Sequence, residues 1–513
     1  MPARRIVLEP RRRDSVTSFQ PAHRVSVREP QIGAHDVVFR WDVSPASELY
    51  RQTEFTLTFP PSLDLRTVPR ALWWRIAFVC LHPHWALLRP CCVEIPIRLE
   101  PGEREFWSRM IENVVVQLEA YGGATRPGPA VEIAESGSPL PPVRLTGRGD
   151  RAAVCFSGGK DSLALTGLLA ELTERPLLVM TTSPVPWARD QVGVARARAQ
   201  AEIAERLLVD LVEVRSDYRM CWDYEFSMRD GCTLGVHELS DILLFQSATL
   251  AAAAASGIGR AYMASEADIQ YNAPRAGHVV LHRGFMSGVV TQGALDALVR
   301  DFGLRLTSLT YPLHMTHVQA LLFGRYHGLV DLQFSCWQAP EGAQACSACQ
   351  KCFEIALTAF VEGVSPRAVG IDPVSVLCAS SRRRLDPSAH AGPKLHQTRS
   401  GGDQVLRCLQ AVPTEQIRRV LELDPVARDD PRLGEAVAIY ARLRAEALAV
   451  IVPPDPGYIA GFLELVPDDL RERLRAIFDE YFAPADEREF ADTLERGRAL
   501  TRWITEPLTA GHR

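Results

Sequence analysis

The chain contains no run of eighteen apolar residues, so a membrane-spanning helix is not expected and no membrane partner is implied. It lacks a strong charge of either sign. The 57 Lys and Arg against 62 Asp and Glu leave a formal net charge of −5, mild acidity that argues against a large nucleic-acid footprint. The stretch Met1 to Arg28 carries Arg4, Arg5, Arg11, Arg12, Arg13, Arg24 and Arg28 but no apolar segment after them. It therefore lacks the core of a secretory signal, and residues 1–29 read as a basic, disordered leader. The twelve cysteines are spread along the chain with one tight cluster. That pattern lacks the density of a disulfide framework and points to a reducing cytoplasm and a metal site. The Gly-x-x-x-x-Gly-Lys spacing of a Walker A loop is also missing around the chain's main glycine turn.

What is there begins with 513 residues at 47% hydrophobic and 23% charged, the composition of a globular protein of two or three domains. The most informative stretch is Ser157-Gly158-Gly159-Lys160-Asp161-Ser162. A short apolar run, Ala152 to Phe156, precedes it and reads as a buried strand. Leu163 to Leu169 follows and reads as the first turns of a packed helix. A strand, a glycine turn and a helix start form an anion site. The glycines let the backbone approach a ligand without Cβ obstruction, and the helix start offers free N–H groups and a positive dipole end. Lys160 adds a formal charge, and Asp161 can hold Mg²⁺ against phosphate oxygens. The implied ligand is a polyphosphate. A second copy of four letters, Ser400-Gly401-Gly402-Asp403, follows no buried strand. It reads as a loop leading into a helix near Val405, with no nucleotide role.

The main motif resembles the PP-loop of the ATP pyrophosphatase superfamily, Ser-Gly-Gly-x-Asp-Ser. That resemblance implies ATP bound on a parallel sheet and cut between its α and β phosphates, usually to adenylate a carboxylate or amide oxygen. The surrounding pattern agrees. Strands are expected over Pro176–Met180, Val209–Val214 and Ala261–Ala264. They alternate with helices over Val194–Leu208 and Leu239–Ser256, which argues for a doubly wound parallel sheet with its ligand at the carboxyl strand ends. The expected fold class is thus α/β, Rossmann-like, with an N-terminal α+β domain over 30–123. A Gly- and Pro-rich linker covers 124–150, the nucleotide domain with its cysteine cluster 151–380, and a helical region 381–513. In the first of these, Val37–Trp41 and Phe55–Phe59 read as strands, and Phe106, Met110, Val114 and Leu118 as one helix face stopped by Gly122-Gly123. Leu72–Cys80 fits strand or helix, and Cys91-Cys92 read as core. In the last, Leu433–Val452, Leu470–Phe482 and Glu487–Ile504 have helical periodicity. A cap, a homodimer surface and a partner-binding module are all open roles for it.

Cys336, Cys346, Cys349 and Cys352 form Cys-x9-Cys-x2-Cys-x2-Cys. Four thiolates complete a tetrahedral shell for Zn²⁺ and leave no open position, so the expected ion is structural. A helix, Phe353–Phe360, is expected to start at this knuckle, and the ion would fix a loop beside the nucleotide.

A PP-loop followed by this cysteine spacing resembles 7-cyano-7-deazaguanine synthase, a much shorter family. Over about residues 35 to 380 the chain resembles the UDP-N-acetylmuramoyl-L-alanyl-L-glutamate epimerase family. The residues that carry this are Ala264-Ser265-Glu266-Ala267, Ser308-Leu309-Thr310-Tyr311-Pro312-Leu313, Ser335-Cys336 and Cys346-Ser347-Ala348-Cys349-Gln350-Lys351-Cys352-Phe353. That family's knuckle usually reads Trp-Cys-Gly-x-Cys-Pro-Lys-Cys, and this chain departs from it at the glycine and the proline. The resemblance implies an ATP-dependent, AMP- and pyrophosphate-forming enzyme acting on a small carboxylate or peptide conjugate. Ser157 to Ser162 would cradle ATP, Lys160 and Asp161 would act on its phosphates, and Glu266, His237 and His282 are acid–base candidates. Inversion at the activated Cα and capture of the acyl group by ammonia, giving an amide or nitrile, are both open. A tRNA-thiolating enzyme that carries sulfur on the same cysteines is the rival, and a non-catalytic scaffold the third reading.

Overall fold

The computed structural model describes residues 21–120, 131–146, 148–172, 175–184, 190–229, 231–232, 234–267, 285–336, 338–340, 342–380, 399–452, 457–485 and 487–510. Residues 1–20 of the expected leader and Gly122-Gly123 lie outside them, and the rest of that leader is corrected: His23–Val27 is a strand paired on both sides, with Val25 and Val27 buried. Among the described residues the backbone is an α/β fold built on one large, mixed, mostly parallel sheet of eleven strands. These are β1 (His23–Val27), β2 (Gln31–Ile32), β3 (Asp36–Ser44), β4 (Glu54–Thr58), β5 (Cys91–Ile95), β6 (Val131–Glu135), β7 (Arg148–Cys155), β8 (Arg175–Thr182), β9 (Asp210–Ser216), β10 (Ile258–Tyr262) and β11 (Arg305–Thr307). The order across the sheet is β11-β10-β7-β8-β9-β4-β3-β1-β5-β6, with β2 beside β3.

The half from β11 to β9 is parallel throughout. The inner strands β7 and β8 carry near-continuous apolar runs, Ala152–Val154 and Leu177–Met180, because both faces are covered. Ala153, Leu177, Val179, Val212, Val214 and Ala261 enter one core, shared with the Arg70–Leu87 and His237–Ala255 helices. Ala152, Val154, Leu178 and Tyr262 enter a second core, with the Lys160–Glu171, Met315–Gly324 and Gln350–Val361 helices. The strand and helix expectations for this half hold to within a few residues at each end.

The half from β4 to β6 is different. On β3, Val37, Phe39 and Trp41 are buried while Val38 and Arg40 are half-exposed, a one-sided strand with period two. The sheet crosses from one half to the other without a break. β4 pairs antiparallel with β9, Leu57 opposite Ser216 and Thr58 opposite Arg215. The 124–150 stretch, expected as a linker, contains β6, which pairs parallel with β5, and the start of β7. The ambiguous Leu72–Cys80 segment lies inside the Arg70–Leu87 helix. That helix is buried on every side, Trp73, Trp74 and Trp85 included, so it offers no polar face from which a period could be read.

One expectation is corrected outright. Ser400-Gly401-Gly402-Asp403 is not a loop but part of the Arg399–Ala411 helix. Burial of Val405, Leu406 and Leu409 on one side of that helix outweighs the roughly 1 kcal/mol that each glycine costs a helix. The later helices, Leu433–Leu448, Asp468–Tyr481 and Glu487–Ala510, follow the expected periodicity. The chain near them packs against the carboxyl end of β11. Ile459 N–H donates to Pro312 O at 2.8 Å, and Thr307 Oγ1 to Leu465 O at 2.9 Å. Among the described residues no helix is long and apolar enough to cross a membrane.

Candidate functional site

β7 sits where the strand order reverses. β8 and β9 follow it on one side, β10 and β11 on the other. Connections leave such a point in opposite directions and open a crevice at the carboxyl strand ends. The Ser157–Ser162 loop occupies that position, between the end of β7 and the Lys160–Glu171 helix. Gly158 takes φ +74°, and a Cβ built there would meet Gln200 Cγ at 3.2 Å. The positive φ favours glycine, and a side chain there would also press on Gln200. Gly159 is the N-cap and supplies no side-chain hydrogen bond, so the first helical turn is left open.

The loop uses some of its own donors. Gly159 N–H reaches Ser157 Oγ at 3.3 Å, Ser157 N–H reaches Ser162 Oγ at 3.3 Å, and Lys160 N–H reaches Ser335 Oγ at 3.2 Å. Among the described residues the N–H groups of Gly158, Asp161 and Ser162 have no partner. The open donors thus lie within the Ser157–Ser162 stretch, two of them in the first helical turn. Beside it, Gln200 is buried with its Oε1 unpaired.

Lys160 extends from this turn into a carboxylate pair. Its ammonium contacts Asp161 Oδ1 and lies 2.8 Å from Glu266 Oε2, with its side chain 3% exposed. Burial pulls its pKa down, but Asp161 and then Glu266 outweigh that, and the value ends above the ordinary lysine range. Asp161 mirrors this. Burial raises it, yet Lys160, a hydrogen bond with Glu266 and the charge of Lys351 bring it below 3.8. The three charges meet across the switch point, since Glu266 follows β10 and Lys160 follows β7.

The Glu266 segment is held firmly. Met263 N–H donates to Thr307 O at 2.8 Å and Ala267 N–H to Leu313 O at 2.7 Å. Ser308 Oγ and Thr310 Oγ1 each bond Ser265 O at 3.0 Å, and Gln292 Nε2 bonds Ser265 Oγ at 2.7 Å. The Ser308–Thr310 motif thus orients the backbone that carries Glu266.

Cys336, Cys346, Cys349 and Cys352 converge, with all four sulfurs within 4.8 Å of one another. Three separations are 4.0, 3.8 and 3.5 Å. A tetrahedral zinc with bonds of about 2.3 Å sets its sulfurs about 3.8 Å apart, so the donor set fits a metal such as zinc. Backbone N–H groups of Cys346, Cys349 and Cys352 each point at the sulfur of the preceding cluster cysteine, at 3.3, 3.3 and 3.5 Å. Hydrogen bonds from Cys336 and then Cys352 drive the Cys349 thiol far down, while Cys336 is pushed up to about 11, first by its bond to Cys349. One thiolate is favoured and its neighbours resist a second, a conflict that a divalent cation removes. The Gln350–Val361 helix starts at Cys349. All twelve cysteines are free thiols.

The knuckle touches the glycine loop directly. Phe334 N–H donates to Gly158 O at 2.8 Å, and Ser335 accepts from Lys160 N–H. Behind Ser335, Gln333 Nε2 donates to it at 3.2 Å and pairs with Gln319. These partners were missed in the sequence, where only the neighbouring cysteine is conspicuous. Of the acid–base candidates within the described residues, Glu266 is the one brought to Lys160. The described contacts of His237 are with Tyr224 and Asp241, and His282 lies outside the described residues. No protein-family model, curated protein or solved structure matches this chain.

Proposed function

We propose that this protein is an ATP-dependent enzyme of the PP-loop, Rossmann-like kind, which adenylates a substrate carboxylate and releases pyrophosphate. One observation carries the reading: a buried ammonium joins two carboxylates from adjacent parallel strands, at an open helix N-terminus, on the strand-order switch point. The unpaired N–H groups of Gly158, Asp161 and Ser162 suit phosphate oxygens. The unpaired Gln200 Oε1 suits a donor on the same ligand.

On this reading Lys160 exchanges part of its carboxylate contact for oxygens of the β and γ phosphates. Asp161 and Glu266 would hold Mg²⁺, which would supply charge neutralisation for the departing pyrophosphate. A substrate carboxylate oxygen attacks the α phosphorus, the bond to the bridging oxygen breaks, and pyrophosphate leaves with the electron pair. The acyl group becomes electrophilic and its Cα–H more acidic. A base such as Glu266 then removes and returns that proton with inversion and water hydrolyses the acyl-adenylate to the carboxylate and AMP, or ammonia displaces AMP to give a C–N bond. The four thiolates, with Zn²⁺ held by Cys336, Cys346, Cys349 and Cys352, keep the Phe334–Ser335 segment against the loop. Free thiols throughout suit a cytoplasmic enzyme.

Product analysis tests the class. The protein is expected to yield AMP and pyrophosphate in equal amounts from ATP in the presence of an acceptor carboxylate. Stoichiometric ADP sinks the proposal. In heavy water, inversion requires deuterium at the product Cα, whereas an unexchanged Cα with a new C–N bond selects the ligase branch.

A further inference from the structure

The chain holds three lysines, Lys160, Lys351 and Lys394, among its 57 basic residues, and all the others are arginine. Where arginine has displaced lysine so thoroughly, the remaining positions are those at which a compact, mobile ammonium does what a planar guanidinium does not. Lys160 is one such position. Lys351 is the second residue of the Gln350–Val361 helix, between Cys349 and Cys352. That is a poor place for a cation on structural grounds, because the first helical turn carries the positive dipole end. Its side chain is exposed, and among the described residues it makes no ion pair or hydrogen bond. Packing and pairing therefore do not explain it.

Its surroundings do. Lys351 borders a small recess with Gln333, Ser335, Cys336 and Cys352. Ser335 accepts the Lys160 backbone N–H at 3.2 Å, so the recess adjoins the glycine loop. The ammonium is close enough to contribute to holding the Asp161 carboxylate ionised. We propose that Lys351 is a second phosphate-binding cation of the nucleotide site, carried there by the cysteine knuckle. Lys160 is engaged by two carboxylates, so its charge is already offset. Lys351 makes no direct ion pair among the described residues and acts on Asp161 only at longer range, so it brings a largely available positive charge to a polyanion. The cysteines on either side of it fix the backbone from which it reaches. The assignment rests on the nucleotide reading above and adds a residue to it.

Magnesium pyrophosphate is the probe, because it tests phosphate binding without an acceptor substrate. Its affinity would be measured by calorimetry on the full chain for wild type, Lys351→Ala, Lys351→Arg and Arg418→Ala. Arg418 is an exposed cation on the Thr414–Leu423 helix, which meets the far end of the Lys351 helix at Phe360, and controls for loss of one charge. Lys351→Ala is expected to weaken binding tenfold or more, Lys351→Arg to recover part of it, and Arg418→Ala to change little. Bound metal and melting temperature should stay at wild-type values in all three variants. Wild-type binding that survives within twofold in Lys351→Ala overturns the assignment and leaves the nucleotide reading intact. A Lys351→Ala protein that loses its metal or melts early shows a structural lysine and overturns it too. A wild-type chain that binds neither magnesium pyrophosphate nor ATP removes the nucleotide reading and this residue's role together.

Discussion

Ser347 has φ +52°, a left-handed conformation in a residue with a Cβ. That conformation favours glycine, since a non-glycine residue pays about 1–2 kcal/mol there. The serine is tolerated because its Oγ accepts the Asp372 N–H at 2.8 Å, a bond worth about 1 kcal/mol. The two effects are of similar size, so this serine says little about the site's chemistry. Asp161 is the opposite case, a residue whose charge is the point. Its folded pKa lies below 3.8, so its ionised form and the stability it contributes persist above that value. They are lost only as pH falls through the folded value. Asp161→Asn removes the charge while keeping the shape. It is expected to lower ATP turnover at least 100-fold with a melting temperature within a few degrees of wild type, as read by pyrophosphate release and thermal unfolding. Turnover within threefold of wild type would remove Asp161 from the machinery.

At the scale of elements, the cysteine knuckle is a loop whose four sulfurs could hold a metal such as zinc, lying 3.5 to 4.0 Å apart at three contacts. Cys349→Ser should abolish stoichiometric metal and lower the melting temperature, because a closed thiolate shell contributes to folding. Unchanged metal content by mass spectrometry would refute the centre. The Arg70–Leu87 helix carries a different liability. His82 is fully buried against Trp107, and burial lowers its pKa from 6.5 to about 4. His84, stacked on Trp222, is lowered too, by burial and then by His82. The folded state thus binds fewer protons than the unfolded state between those values. Stability is full above pH 6.5 and falls as pH drops toward 4, by about 3 kcal/mol from His82 alone. A melting curve should shift down steeply between pH 7 and 5, and His82→Asn should flatten that dependence. An equal slope in the variant would locate the effect elsewhere. The same helix marks the edge of what was legible in the chain. Strands β7 to β10 and their helices were readable because apolar runs alternated with amphipathic ones. A helix apolar on every face was not, and β6 was not because turn residues surround a five-residue, half-exposed strand.

Across the whole molecule, the carboxyl ends of two strands distant in sequence make the site. The glycine loop was evident from six consecutive residues, and the four cysteines from their spacing. The meeting of Lys160 with Glu266 depends on strand order, which no local pattern encodes. The roles of Ser335 and Lys351 depend on a loop folding back more than 170 residues later. The antiparallel β4–β9 join is equally nonlocal. It is reinforced by Phe55 set edge-on to Tyr218 and by Trp41 stacked on Trp222 at 5.5 Å. A chain starting at residue 148 would expose β9 as a bare edge beside apolar side chains, a template for aggregation. It is expected to form soluble oligomers or precipitate where the full chain elutes as a discrete species in size-exclusion chromatography. A well-behaved monomer of that fragment would show that the parallel half needs no partner.

The contact of Phe334 with Gly158, and of Ser335 with Lys160, has a thermodynamic reading. Two residues of backbone separate the metal shell from the glycine loop, so occupancy of either place biases the same short segment. Coupling free energy is reciprocal. If closure of the thiolate shell tightens nucleotide binding by some factor, the nucleotide tightens metal binding by that same factor. A working enzyme of this design would guard its own metal while substrate is plentiful, and would surrender it most readily when starved.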